Sequence, residues 1–297
     1  MGKEVAIMTD TVSLTSQEVA DQFNIKLVPM SVVIEGKAYP ETELDLAWFY
    51  EHISKWKEAG NMPKSSSIGV GAFLQVYREL SQRAKAILYI GHSSKFGMST
   101  NAATQAKKMA EEELPQTAIE VIDSLTVAAG QMLIAIEAAR AAVAGKNLPE
   151  IVELTNSLVK EVNCVVILDD LSLLAKGGRI HKARPWADSQ ITNTALLEAS
   201  SSTGGEMKPL SRGRTRRQAL EKLFEIVKER SGDRKLHVAI NHADAHAEAE
   251  ELKKLTLSRL PCAEVFITPA YPLVTAHTGV GAIHFGWWSE DQCRELP

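Results

Sequence analysis

Cysteine is scarce in this chain: Cys164, Cys262 and Cys293 are the only three among 297 residues. An odd number so widely spread excludes a disulfide framework, offers no CxxC metal site and fits a reducing cytoplasm. Long uninterrupted apolar runs are also missing. The most apolar helical stretch, Val127–Gly145, carries Gln131, Glu137 and Arg140, so it reads as a buried helix and no stable membrane insertion is expected. Lys3 and Glu4 break the strand-like start, which does not read as a signal peptide. There is no excess of positive charge: the net value of −4 argues against nucleic acid as the main partner. No HExxH pattern is present, no Gly-x-Ser-x-Gly elbow frames Ser93, and no Lys-Ser/Thr follows the glycines at 69 and 71. Zinc hydrolysis, an α/β-hydrolase nucleophile and a phosphate loop are thereby disfavoured, and no cofactor or metal is expected. Internal repeats and low-complexity tracts are absent as well.

What is there is an ordinary globular composition, 45% hydrophobic and 24% charged, at a length that suits two domains. Apolar runs at Val5–Met8 and Ala86–Ile90, the extended segment Lys26–Ile34 and the strand Ala118–Ile122 alternate with helical segments. Thr15 with Glu18 reads as a capping box, with Leu14 and Val19 as its hydrophobic staple. Asn147 and Glu150, with Pro149 in the first turn, mark another helix start. This alternation predicts an α/β fold whose first domain, residues 1–160, holds a mostly parallel sheet. Residues 161–297 read as a second α/β domain with a mixed sheet. It contains the strand Cys164–Leu168, a hairpin from Thr194–Ala199 to Met207–Leu210 around Gly204-Gly205, helices near 215–230 and 245–260, and two closing strands.

Asp10, Ser93, Ser94, Asp123 and Ser124 each follow a strand of the first half, and in open α/β sheets ligands bind outside those carboxyl ends. Near the end of the chain, His277 and Thr278 stand beside Gly279 and Gly281. Glycines so spaced let the backbone turn and bring its N–H groups near a ligand, and a His, a hydroxyl and free N–H groups suit an anionic head group. A plain tight turn accounts for the same residues. Serines 93 and 94 equally suit a helix-entry cap, and Asp10 and Asp123 suit backbone N–H groups at strand ends. His242 and His246, four apart, lack a third metal ligand at a recognisable spacing. The basic runs Lys176–Arg184 and Arg212–Arg217 read as solvated surface or as anion-docking sites.

From end to end the chain resembles the DegV family of bacterial lipid-binding proteins. The resemblance rests on Thr9-Asp10, Pro63-Lys64-Ser65-Ser66, Ser93-Ser94-Lys95, Val121-Ile122-Asp123-Ser124, Leu174–Ile180 with its Gly177-Gly178-Arg179, the arginine run, His242 before an acidic helix, and His277-Thr278-Gly279. It implies a two-domain DegV-like fold that holds a long-chain fatty acid in an apolar tunnel, with the carboxylate near the domain junction. It also implies a carrier, or a presenting subunit for a separate fatty acid kinase, that performs no chemistry alone. Carried over by motif, the head-group residues are Ser65, Ser66, Ser93, Ser94, Arg179, His277 and Thr278. The chain departs from the family pattern at Ser67-Ile68-Gly69, at Gly97-Met98-Ser99, at Val280 between the two glycines, and at Ile191–Ala195. The rival reading is an ester hydrolase with Ser93 as nucleophile and His277 as base.

Overall fold

The computed structural model describes residues 3–180, 186 and 193–290. Strands β1 (Lys3–Asp10), β2 (Lys26–Val28), β6 (Ala84–Gly91) and β7 (Ala118–Asp123) form a four-stranded sheet in the order β2-β1-β6-β7, every pair parallel. Side chains of β1 alternate as the pleat requires. Val5 and Ile7 join one apolar cluster, while Ala6 and Met8 join another on the opposite face.

From 163 onward, β8 (Asn163–Leu168), β9 (Thr194–Glu198), β10 (Lys208–Gly213), β11 (Leu236–His242), β12 (Cys262–Pro269) and β13 (Ile283–Ser289) build a six-stranded mixed sheet. Its order is β10-β9-β8-β13-β11-β12, antiparallel except for the β11–β12 pair. The chain is therefore α/β, with a parallel sheet and a mixed sheet. A third, small antiparallel sheet, β4 (Lys37–Pro40), β3 (Ser31–Ile34) and β5 (Lys64–Ser66), stands apart.

Helix α5 (Ala128–Val143) lies between the two large sheets and is buried almost all round, which explains its near-continuous apolar sequence. It approaches β13 so closely that a Cβ on Gly286 would stand 2.7 Å from the Ala129 carbonyl carbon. Only glycine permits that contact. An ion-pair network fastens the same helix: Arg140 binds Glu264 with both terminal nitrogens at 2.6 Å and reaches Glu137 at 2.6 Å. Among the described residues no helix is long and apolar enough to cross a membrane.

Several elements differ from the sequence reading. The segment Lys26–Ile34 is not one strand: it passes from the parallel sheet to the small one at Pro29-Met30. Helix α1 (Gln17–Phe23) is capped by Ser16, whose hydroxyl accepts from the Val19 N–H at 3.3 Å. The Thr15 hydroxyl is engaged instead with Ser13 at 2.8 Å, and Leu14 and Val19 fall in different apolar clusters, so no staple forms. The Asn147–Glu150 capping box is present at the start of α6 (Leu148–Glu161). Unanticipated were α2 (Leu46–Glu58), α7 (Ser172–Lys176) and a short late helix, Pro272–Thr278.

Candidate functional site

A cavity of about 250 Å³ opens where the two large sheets, the small sheet and the late helix meet. Its wall is mostly apolar. Val12, Met30, Phe96, Met98 and Val127 come from the first half, and Val166, Leu174, Met207, Leu273 and Val274 from the second.

Arg179, Ser65, His277 and Thr278 also line it. Arg179 follows α7 and α3 (Val70–Ser81) follows β5, so a loop and a strand edge present these groups. The Arg179 guanidinium donates to the Gly177 carbonyl and approaches Ser65 Oγ at 3.4 Å. Among the described residues it has no carboxylate partner. His277 lies in the last turn of the late helix, numbered α10 after α8 (Arg216–Ser231) and α9 (His246–Arg259). Burial, seconded by the charge of Arg179, holds its pKa down to about 4, so the ring is neutral near pH 7. The Thr278 hydroxyl donates to the Val274 carbonyl at 3.0 Å and accepts from none of the described residues.

Two histidines outside the sequence-based candidates line the same cavity. His92, 2% exposed, follows β6 directly and places Nδ1 3.0 Å from Asp10 Oδ2. That carboxylate also accepts from the Tyr89 hydroxyl at 2.6 Å and from the His92 N–H at 3.2 Å. Burial disfavours the charged imidazole, but the Asp10 charge and hydrogen bond outweigh it and raise the His92 pKa; the Asp10 pKa is lowered in turn. His284, 1% exposed, sits on β13 opposite Asn241. Burial pushes its pKa down to about 4 against the opposing effect of the Asn241 backbone, and its Nδ1 has no hydrogen-bond partner among the described residues.

A model of the family described as "Uncharacterised protein, DegV family" matches residues 4–290. The chain belongs to the DegV family. A DegV domain-containing protein of Streptococcus pyogenes serotype M1 is 29% identical over 273 residues, spanning 92% of this chain and 94% of the relative. Protein DegV of Bacillus subtilis is 26% identical over 289 residues, covering 95% and 98%. Among solved structures, DegV of Bacillus subtilis, reported as a fatty acid binding protein, is 24% identical with a TM-score of 0.84 over 97% of this chain and 100% of that one. A DegV family protein from Eubacterium eligens loaded with heptadecanoic acid is 18% identical with a TM-score of 0.82, covering 96% and 100%. At these identities the solved structures establish the fold.

Of the seven residues that the DegV motifs nominated, the cavity wall holds Ser65, Arg179, His277 and Thr278. The other three stand outside it. Ser66 lies on β5 with its neighbour Ser65, and successive strand residues face opposite ways. The Ser93 hydroxyl, fully buried, donates to the Gly205 carbonyl at 2.8 Å and thereby ties the two halves of the chain. The Ser94 N–H donates to Asp123 at 3.2 Å. Neither serine caps α4 (Ser99–Glu113), which begins well downstream with Met98 at its N-cap. A serine whose proton is given to a backbone carbonyl is not activated by a histidine, so the geometry offers no Ser93–His277 nucleophile pair.

The glycine turn also differs from expectation. Gly279 and Gly281 do adopt left-handed φ of +81° and +82°, but their N–H groups donate to Thr275 and Ala243 carbonyls at 2.7 Å each. Neither is free for an anion. The expected roles of Asp10 and Asp123 on backbone N–H groups do hold, through Val12 and through Ser94 and Leu125. In the arginine run, Arg216 binds Glu248 at 2.7 Å, Asp169 at 3.2 Å and the Gly281 carbonyl at 2.8 Å, so it braces the turn. Lys176–Ile180 of the other basic run is described; the rest, like Cys293, Ile191 and Thr192, lies outside the described residues.

Glu137, His237 and Glu264 come within 4.8 Å of one another. Arg140, bonded to both carboxylates, occupies the cationic position there. Ser67 and His92, which also line the cavity, carried no signal in the sequence beyond their place near strand ends and, for Ser67, its place in a segment that departs from the family pattern. His284 had one: a polar residue interrupting the apolar run Ile283–Phe285.

Proposed function

We propose that this protein binds a long-chain fatty acid, with the carboxylate held by Arg179 and Ser65 beside His277 and Thr278 and the tail along the apolar wall. With the chain divided near residue 160, the ligand lies between the two domains. The observation that carries this reading is a guanidinium without a carboxylate partner among the described residues, set in the wall of an otherwise apolar cavity. An ionised acceptor makes such hydrogen bonds stronger than neutral ones, and the fork geometry of arginine suits a carboxylate. Neutral His277 adds a polar contact without a second full charge. Most of the gross affinity comes from the tail. At ~0.8 kcal/mol per buried CH₂, about fourteen methylenes contribute on the order of 10 kcal/mol before ordering costs.

In this reading the protein is a carrier, or the presenting subunit for a separate fatty acid kinase, and performs no chemistry itself. The fatty acids reported for solved DegV relatives support the ligand class. The test is calorimetric titration of delipidated protein with palmitate and with hexadecanol. Palmitate should bind on the order of tenfold tighter or more. Equal affinities would remove the head-group assignment, and binding of neither would remove the function.

A further inference from the structure

The cavity has a second polar pole that a plain fatty acid leaves unused. His92 is fixed through Nδ1 by Asp10 at 3.0 Å, and its Nε2 has no hydrogen-bond partner among the described residues. A Cβ on Gly97 would stand 2.7 Å from that Nε2 and 3.7 Å from Ser67 Oγ. The missing side chain at 97 therefore leaves room for the imidazole tip, with a hydroxyl beside it. Ser67 accepts from the Met98 N–H at 3.4 Å and donates to no described residue. Around this pair the wall is Met30, Phe96, Met98 and Val12. This pole is separate from the Arg179 pole, because Ser65 and Ser67 are two residues of extended chain apart, roughly 7 Å.

We propose that His92 is a specificity-determining residue whose Nε2, with the Ser67 hydroxyl, binds a second oxygen on the acyl chain. The preferred ligand is then a long-chain acid carrying a hydroxyl or oxo group several carbons from its carboxylate. Desolvation supplies the selectivity. With Nδ1 turned to Asp10, Nε2 is the free polar atom of the ring, an acceptor in the neutral imidazole and a donor in the imidazolium, and covering it with methylenes leaves it unsatisfied in an apolar wall. A site built around a hydrogen bond rejects the analogue that lacks the oxygen far more strongly than an apolar pocket rejects an added one. This inference rests on the fatty-acid reading above.

The experiment is a competition titration of the full-length, delipidated protein with palmitate, a positional series of monohydroxypalmitates and the matching oxopalmitates. At least one position should bind about ten- to a hundredfold tighter than palmitate, on the order of the cost of leaving a buried polar group unsatisfied. His92→Leu should abolish that preference and tighten palmitate itself. Gly97→Ala, which presses on the ring tip but leaves Asp10 paired, should also reduce the preference, and it decides the matter if His92→Leu does not fold. Equal binding of palmitate and every oxygenated acid, or a preference that survives both substitutions, overturns the proposal while leaving fatty-acid binding intact. Failure of all the acids to bind overturns the fatty-acid reading itself.

Discussion

Arg179 and Ser93 show how differently two motif residues are used once the chain is folded. Among the described residues the Arg179 guanidinium hydrogen-bonds only the Gly177 carbonyl and Ser65, so Arg179→Ala should leave the melting temperature nearly unchanged. It should weaken palmitate by ten- to a hundredfold, the range for a hydrogen bond to a charged group. Ser93→Ala should do the reverse. It leaves the Gly205 carbonyl without its 2.8 Å donor, costing about 1 kcal/mol of stability, with palmitate affinity changed little. Paired thermal melts and palmitate titrations check both; a large affinity loss in Ser93→Ala would restore that serine to the head-group site. Sequence order alone placed Ser65, Arg179, His277 and Thr278 in one family pattern, and all four line the cavity. It could not show where the Ser93 proton goes, because Gly205 lies 112 positions away. Nor could it show that His92, written as one more loop residue, is held by Asp10 from the adjacent parallel strand.

At the scale of elements, the late helix α10 carries four cavity residues, Leu273, Val274, His277 and Thr278, and its start is held by a buried acid. The Glu41 carboxylate accepts from the Leu273 N–H at 2.8 Å and from the Thr11 hydroxyl. Burial dominates these bonds and raises its pKa to about 7 from 4.5. A raised acid binds its proton more tightly in the folded state, so its contribution is fully present below about pH 4.5 and is lost as pH rises through about 7. His277 and His284 act in the opposite sense. With pKa values lowered from 6.5 to about 4, they favour folding above about pH 6.5 and cost stability as pH falls towards about 4.

Comparison of wild type with Glu41→Gln isolates the first effect. Urea unfolding should show the difference in stability moving in the variant's favour between about pH 5 and about pH 8. A difference that is constant, or that moves the other way, would contradict the burial of a titrating Glu41. The helix itself escaped the sequence reading because seven residues opened by a proline and closed by glycine look like a loop. Helix α2 was missed for another reason: Trp48, Phe49, Tyr50 and Trp56 favour strands intrinsically, and packing overrides that preference. Strands β1, β6, β8 and β11 were legible because buried parallel or central strands read as continuous apolar runs, and the edge strand β7 because its apolar residues are bounded by polar turns.

At the scale of the whole molecule, a parallel sheet and a mixed sheet enclose α5, and the cavity lies where residues from both halves of the sequence converge. The alternation of strands and helices announced the first sheet. The antiparallel neighbours of the second were less legible, because β13 inserts between β8 and β11 across a long stretch of chain. Convergence from distant segments is why the cavity could be named only through an ordered set of motifs, and why its second polar pole could not. Extraction of the freshly purified protein after denaturation, with the released lipid measured by mass spectrometry, decides whether the cavity holds an acyl chain. Near-stoichiometric long-chain acid is the predicted result. Repeated recovery of protein without lipid, together with no uptake of added palmitate or its hydroxylated forms, would contradict it.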